Sequence, residues 1–469
     1  MKRKLGWFGL GFAGAELAAA NLPPLVCVPA AAFLALLAFW NRRRDARTPL
    51  LGALCGLAWF ALFALIFVQP CRALAGQTVT CTAVVETDAE ASYSDSRLRG
   101  TLRLTEINGK PARLRVQCSS FPGESAGERF EASFALSSLP DNRYRLSRNS
   151  KGVYLQAEYL GSYRGLAASK APRFALFRLR QRWSAVLRRW LPKQLDGMEA
   201  AMLLADKSHL EDAVQQAFRA AGVSHLLAVS GLHLALLCGL LGFGRRWRFY
   251  KPLILLRGAA ALFYLLLTGA PVSVLRAGLV LAVALAGEFL LQPVDLLTST
   301  GFAAVLIGLQ NAYAPCDIGF QLSFCAVLGV QAAAALTEAE QRAAAQGKSA
   351  ALRLVCRLAE PVQVAALASL ATLPVLVAHG MSTSLVGIVC NVLVVWMLQP
   401  ALQMGILLLI FSAVPFLLPL VNLTGLALSL WLKAMLGIVA RCAALPFASV
   451  YLPQRYTLFV LAVLGALAL

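Results

Sequence analysis

Long apolar runs broken by short polar ones occupy most of this chain. The first three cover 5–20, 24–40 and 49–68. Each is near the roughly 20 residues that cross a bilayer as a helix. Met1-Lys2-Arg3-Lys4 precedes the first run, and Asn41-Arg42-Arg43-Arg44-Asp45-Ala46-Arg47 separates the second from the third. Positive loops stay on the cytoplasmic side. The pattern therefore predicts an inside N-terminus, an inside Arg42–Arg47 loop and a chain that emerges outside after Val68. Ala18-Ala19-Ala20 has the form of a signal-peptidase site, and cleavage there would leave that sidedness unchanged.

Between 71 and 171 the period drops to two. Alternating stretches at 78–86, 99–105, 113–118, 129–136 and 153–159 are separated by turn residues such as Asn108-Gly109 and Pro122-Gly123. Five short strands in about 100 residues predict a small antiparallel barrel of the OB type, with a small sandwich as the alternative. A helical period returns at 173–193. Leu176, Leu179, Trp183, Val186, Leu187 and Trp190 form one face, and seven Lys or Arg with no acid form the rest. Such a basic amphipathic helix suits a membrane interface, with a phosphate-collecting surface as the second reading.

A polar helical stretch follows at 197–221, with Gly222 placed to close it and Ser224 to cap the next. Apolar segments then fall at 225–243, 252–270, 272–291, 294–312, 318–336, 361–379, 384–400, 401–420, 421–440 and 456–469. Basic clusters at Arg245–Arg248 and in the amphiphilic stretch 338–360 both lie inside if crossings are counted from the outer 71–171 region. Some C-terminal runs are short or carry proline, so the total is roughly ten to thirteen segments.

Composition agrees with this picture. Of 469 residues 59% are hydrophobic and 14% charged, and mean hydropathy is +0.67. A soluble enzyme and a disordered chain are both excluded. The excess of 43 basic over 23 acidic residues is what cytoplasmic loops collect; a polyanionic cargo is the additional reading. Eleven cysteines show no zinc spacing. Cys81 and Cys118 sit in strand-like segments of the outward region, where oxidation is allowed, and form a candidate disulfide with Cys71 as competing partner.

The residues most able to carry chemistry lie in Ser224-His225-Leu226-Leu227-Ala228-Val229-Ser230-Gly231-Leu232-His233-Leu234, which holds two of the four histidines. On a continuous helix Ser230 and His233 share a face, and Gly231 permits a bend or a close helix approach. Satisfied histidines at a packing site, a polar wall and a Ser–His nucleophilic pair all fit this spacing; a metal site fits less well. Arg276 lies near the start of one segment, Arg257 and Glu288 in others, and Asp317 and Gln321 flank Phe320. Arg276 is free to snorkel, to pair with a carboxylate such as Asp317, or to face a phosphate.

The stretch Ala201-Met202-Leu203-Leu204-Ala205-Asp206-Lys207-Ser208, followed by Phe218 through His233, resembles the signature of the ComEC competence proteins. Thr268–Ala277 and Ile318–Phe324 are similar to later motifs of that family, in the same order, and 71–171 to its extracytoplasmic OB-like domain. The resemblance implies a bacterial inner-membrane channel passing single-stranded DNA into the cytoplasm during natural transformation. Its parts would be N-terminal membrane helices (1–70), the OB-like domain (71–171), the interfacial helix (172–193) and a channel domain (194–469). Asp206, Lys207, His225, Ser230, Gly231, His233, Arg276, Gln321 and Ser323 occupy the matched motifs. Lys207 and Arg276 would meet phosphates, the histidines and serines would line the path, and Gly231 would bend its helix. Implied partners are single-stranded DNA, membrane lipids, a DNA receptor and cytoplasmic translocation components, with self-association open. No cofactor and no enzymatic activity are expected. Many family members carry a metallo-β-lactamase-like nuclease domain; no HxHxDH-type motif occurs here, so either that role is expected of another protein or the chain is truncated. A membrane-embedded hydrolase using Ser230 and His233, and a small-molecule exporter, are the competing readings.

Overall fold

The computed structural model describes residues 3–457 except 41–43, 87–89, 93–94, 120, 122–125, 143, 170, 241–250, 347–349 and 447. The basic loop at 245–248, part of the one at 42–47, and the run at 458–469 lie outside the described residues. Two compact units divide the chain. The first is Met1–Arg178 with Thr298–Asp317; the second is Leu179–Leu297 with Ile318–Leu469.

The first unit opens with helices α1 (Lys4–Asn21), α2 (Pro24–Trp40) and α3 (Arg44–Phe63), the last continuing through a π-turn at Ala64–Val68 into the short α4 (Gln69–Arg72). Glycine brings α1 and α3 to backbone contact. A β-carbon on Gly11 would stand 2.2 Å from the carbonyl oxygen of Pro49, and one on Gly52 2.1 Å from that of Phe8. Helix α12 (Leu296–Gln310) meets α1 the same way, since a β-carbon on Gly9 would lie 2.0 Å from the oxygen of Gly301. In a bilayer no hydrophobic force pulls helices together, and small residues permit the close packing that does.

The 71–171 region forms strands β1 (Thr78–Val85), β2 (Glu90–Ser92), β3 (Asp95–Ile107), β4 (Lys110–Cys118), β5 (Arg129–Ser138) and β6 (Val153–Leu166), with a turn of helix, α5 (Arg145–Asn149), before β6. All five predicted strands are present. Strand β1 pairs antiparallel with both β3 and β5, β5 with β6, and β4 runs parallel to β6. The β3–β4 turn is Asn108-Gly109, both at positive φ, the hairpin turn that this dipeptide favours. Alternate residues Leu102, Leu104, Val116, Phe130, Phe134 and Leu155 fill the interior.

The disulfide expectation is corrected. Cys81 and Cys118 are free thiols. Along β3 the partner of Cys81 is Ile107 and that of Cys118 is Gly100. Seven residues of strand separate these positions, on the order of 20 Å, beyond the reach of a disulfide. Burial pushes the Cys81 thiol up to about 11.

The second unit contains most of α6 (Pro172–Trp190), then α7 (Leu195–Leu204), α8 (Asp212–Ala220), a 3-10 turn at Ser224–Leu227, α9 (Gly231–Leu240), α10 (Lys251–Leu267), α11 (Val272–Leu290), α13 (Ile318–Gln346), α14 (Ala350–Ala378), β7 (Ser382–Ser384), α15 (Gly387–Ser412), α16 (Leu418–Ala443) and β8 (Ser449–Tyr451), which pairs with β7. Its largest core joins Met198 and Met202 of α7, Phe218 of α8, Leu398 and Leu402 of α15, and Leu428 and Leu432 of α16. Among the described residues six helices are long and apolar enough to cross a membrane: Arg47–Arg72, Val272–Leu290, Ile318–Glu338, Ala359–Ala378, Gly387–Ser412 and Pro415–Ala443. The chain is a multi-pass membrane protein.

Three expectations change. The runs predicted at 384–400 and 401–420 are one helix, α15, continuous through Pro400. The amphiphilic stretch at 338–360 is helix at both ends, continuing α13 and starting α14. The apolar face of α6 is not given to lipid: Leu187 is buried, and Leu179, Trp183 and Trp190 pack against the core shared with α7 and α15.

Candidate functional site

Helix α8 ends at Ala220, and Gly222 (φ 73°) turns the chain into the 3-10 segment, as its sequence position predicts. That segment buries Leu226 and Leu227 and leaves Ser224 and His225 exposed. The backbone is extended at Ala228, and helix resumes only at Gly231. The expected continuous helix with a bend at Gly231 is therefore corrected: Gly231 is the first helical residue after a break. Two donors of Ser230 converge on one acceptor. Its backbone N–H reaches His233 Nδ1 at 3.2 Å and its hydroxyl lies 3.0 Å from the same nitrogen. This is one half of a capping box, with the side chain at the third helical position accepting from the N-cap backbone N–H. It satisfies Nδ1 of the fully buried His233 and places the ring proton on Nε2, which is buried without a hydrogen-bond partner among the described residues.

Gly231 also makes room for a cation. A β-carbon there would meet Ala277 Cβ at 3.0 Å and Arg276 Nη2 at 3.5 Å. Arg276, on the first turns of α11, is 8% exposed. Its Nε donates to Ser323 Oγ at 2.7 Å, and its guanidinium carbon lies 5.6 Å from the centre of the Phe324 ring. Phe324 in turn stacks on Phe320 at 4.0 Å. Among the described residues no carboxylate pairs with Arg276, so neither the snorkelling position nor the Asp317 pairing is what the structure holds. Two residues before Ser323, and so on another face of α13, Gln321 Oε1 lies 2.9 Å from His379 Nε2 at the end of α14.

Asp206 and Lys207 follow α7, where Ala205 adopts a left-handed conformation. Asp206 accepts from Ser184 Oγ of α6 at 2.5 Å and from the backbone N–H and hydroxyl of Ser208. Burial opposes ionisation of this carboxyl, but those hydrogen bonds and nearby Arg180 outweigh it, holding it below its ordinary value. Lys207 is exposed, and desolvation lowers its ammonium. Ala205 packs in the same cluster as Val229, Tyr264 and Ala277, so the Asp206 turn backs the Ser230 segment. The Tyr264 hydroxyl donates to the Leu203 carbonyl at 3.1 Å.

The structure thus brings Ser230, Gly231, His233, Arg276 and Ser323 into one site, turns Gln321 to His379 on another face of α13, and holds Asp206 and Lys207 behind the Ser230 segment. His225 lies in the same segment but is exposed. Sequence reasoning missed Tyr264, Phe324 as an arginine platform, His379 as the partner of Gln321, and the Arg257–Glu288 ion pair at 2.8 Å. Arg257 and Glu288 are each an isolated charge in an apolar run, and such charges at membrane depth seek each other. Among the described residues no group of three His, Cys, Asp or Glu could hold a metal ion.

A buried arginine that pairs with no carboxylate among the described residues thus sits among small and polar residues of α9, α11 and α13. The family model described as competence protein matches residues 202–469, more than half of the chain, and the chain belongs to that family. It is 32% identical over 234 residues to ComE operon protein 3 of Bacillus subtilis (strain 168), a match covering 48% of this chain and 28% of that relative. The chain thus corresponds to less than a third of that relative's length. No solved structure matches it.

Proposed function

We propose that residues 194–469 line a path by which single-stranded DNA crosses the membrane into the cytoplasm during natural transformation, with Arg276 as a phosphate contact on its wall. The carrying observation is the uncompensated guanidinium. Its Nε bond to Ser323 and its seat over Phe324 fix the side chain, as a guanidinium meant for a passing phosphate needs. Gly231 keeps the facing helix start clear of it. The polar side chains Ser230, His233, Ser323 and Gln321 supply a wall that tolerates water. Asp206 holds the turn that presents Lys207.

The outer region fits the same reading. The pairing of β1 with both β3 and β5, and the parallel β4–β6 pair, support an OB-like domain at 71–171. It holds 14 basic and 10 acidic residues, a net of +4, so any DNA affinity there is modest and salt-sensitive. A DNA receptor and cytoplasmic translocation components are the expected partners.

The test pairs Gly231→Leu with His233→Ala. A leucine at 231 would enter the space held by Ala277 and Arg276, and both variants should abolish transformation while inserting at normal levels. Normal transformation in both would remove this segment from the path. One contact favours a second reading, a hydrolase using the Ser230–His233 pair. The capping geometry explains that contact, and labelling of Ser230 by a serine-reactive phosphonate would favour the enzyme instead.

A further inference from the structure

Within the first unit a cavity of about 350 Å³ is lined by Trp59, Phe63 and Phe67 of the Arg47–Arg72 span and by Arg103, Arg113 and Arg115 of β3 and β4. The two walls differ in chemistry. The three aromatic residues recur every fourth position, so they form one helical stripe, with Phe63 and Phe67 ring centres 4.9 Å apart. Leu65, Ile66 and Phe67 around it are half exposed, as lipid-facing residues of a span are. The opposite wall is cationic beyond what its acid neutralises. Glu86 takes Arg103, Arg115 at 2.9 Å and Arg173 at 3.1 Å. Arg115 is fixed a second time by the Lys151 carbonyl at 3.1 Å. Arg113 is exposed and, among the described residues, pairs with no acid. Three guanidiniums thus share one carboxylate, and Arg113 lines the same cavity outside that network.

We propose that this cavity holds the head group of an anionic phospholipid, its phosphate between Arg103, Arg113 and Arg115 and its glycerol end against Trp59, Phe63 and Phe67. Arginine forks match phosphate oxygens. An aromatic and basic rim at the end of a span is where head groups lie. The volume suits one head group. A DNA strand would need the cationic and aromatic positions repeated along a groove, and here the aromatic wall is the face of a membrane helix. This proposal stands apart from the DNA path, because none of the arginine and aromatic residues that carry it lies within 194–469.

The experiment uses the full chain, stripped of lipid in detergent, and native mass spectrometry with phosphatidylglycerol or phosphatidylcholine of the same acyl chains. Phosphatidylglycerol should be retained about tenfold more than phosphatidylcholine, the scale of one charge-assisted contact. Arg113→Gln should remove that preference without changing the melting temperature, because Arg113 takes no part in the Glu86 network. Arg164→Gln, on an exposed part of β6, should keep it. Equal retention of the two lipids, or an unchanged preference in Arg113→Gln, would overturn the proposal. So would displacement of the lipid by inorganic phosphate or by an oligonucleotide at concentrations that leave Arg113→Gln unaffected, which would reassign the cavity to free phosphate or to DNA.

Discussion

Replacing Arg276 by glutamine separates a structural arginine from one that meets the transported chain. The structural losses can be bounded. The charge-assisted bond to Ser323 contributes about 1.5–3 kcal/mol, and the seat over Phe324, desolvated as it is, about 2 kcal/mol. Against these stands the relief of no longer desolvating a cation that has no counter-ion, so the net loss of stability is smaller than their sum. A lost phosphate contact acts on transport instead. About 1.5–3 kcal/mol at that step corresponds to roughly a tenfold to 150-fold fall in passage. The assay is transformation frequency in a naturally transformable strain whose own family member is replaced by this chain. Frequencies are normalised to membrane protein level, and DNA bound at the cell surface is followed separately. Arg276→Gln should insert, bind DNA at the surface, and fall at least tenfold in uptake. Arg276→Lys keeps the charge but loses the fork that bonds Ser323, and should retain an intermediate level. Ser323→Ala keeps the guanidinium but frees it, and should cost less than the glutamine. Wild-type uptake per molecule in Arg276→Gln would refute the phosphate role. A fall matched by equal loss of protein would return Arg276 to a packing role.

A reporter active only in the cytoplasm, fused after Gly109, should be silent if 71–171 lies outside; strong activity would reverse the assignment of sides. Cys81 and Cys118 should appear as separate thiol peptides in a non-reduced digest. With its thiol near 11, Cys81 is about one thousandth thiolate at pH 8, so it should alkylate only on unfolding; a cross-linked 81–118 peptide would contradict the strand register. Asp206 has a carboxyl depressed below 3.8 in the folded chain. Its contribution is therefore complete above that value and lost as pH falls through the folded one. Ser184→Ala should lower stability by about 1 kcal/mol at pH 7, and the gap to wild type should narrow below about pH 4; a gap constant in detergent melts from pH 3 to 7 would exclude this linkage.

The strands were legible because their alternation is short and the turn at Asn108-Gly109 is explicit. The membrane helices were legible by run length, but not their ends. Pro400 reads as a break in one dimension, yet a membrane helix tolerates proline where neighbours re-satisfy the freed carbonyl. The α6 stripe was read correctly as apolar and wrongly as lipid-facing, because periodicity reports which face is buried and not what buries it. The site residues were found by motif and assembled only by the fold. Nothing in the spacing of Gly231, Arg276 and Ser323 says that α9, α11 and α13 meet. The disulfide failed for the same reason: Cys81 and Cys118 are both in strands, but their separation along β3 is a matter of register. Glu86, which gathers three arginines, looked like one more alternating residue.

The glycine contacts between α1 and α12 also set a schedule for synthesis. Helix α1 is complete within the first 21 residues, but the surface that Gly9 packs against, at Gly301, is encoded almost three hundred residues later. Ribosomes add about 5–20 residues per second, so α1 waits on the order of 15–60 s with that flank open. A shorter wait, on the order of 8–32 s, holds for Asn149 and Ser150, whose carbonyls accept from Asn311 at 3.0 and 2.8 Å. The first unit to leave the ribosome is therefore among the last to close. A chain stalled before residue 296 would present an open glycine groove on α1 and would leave the Ser150 carbonyl without its Asn311 donor.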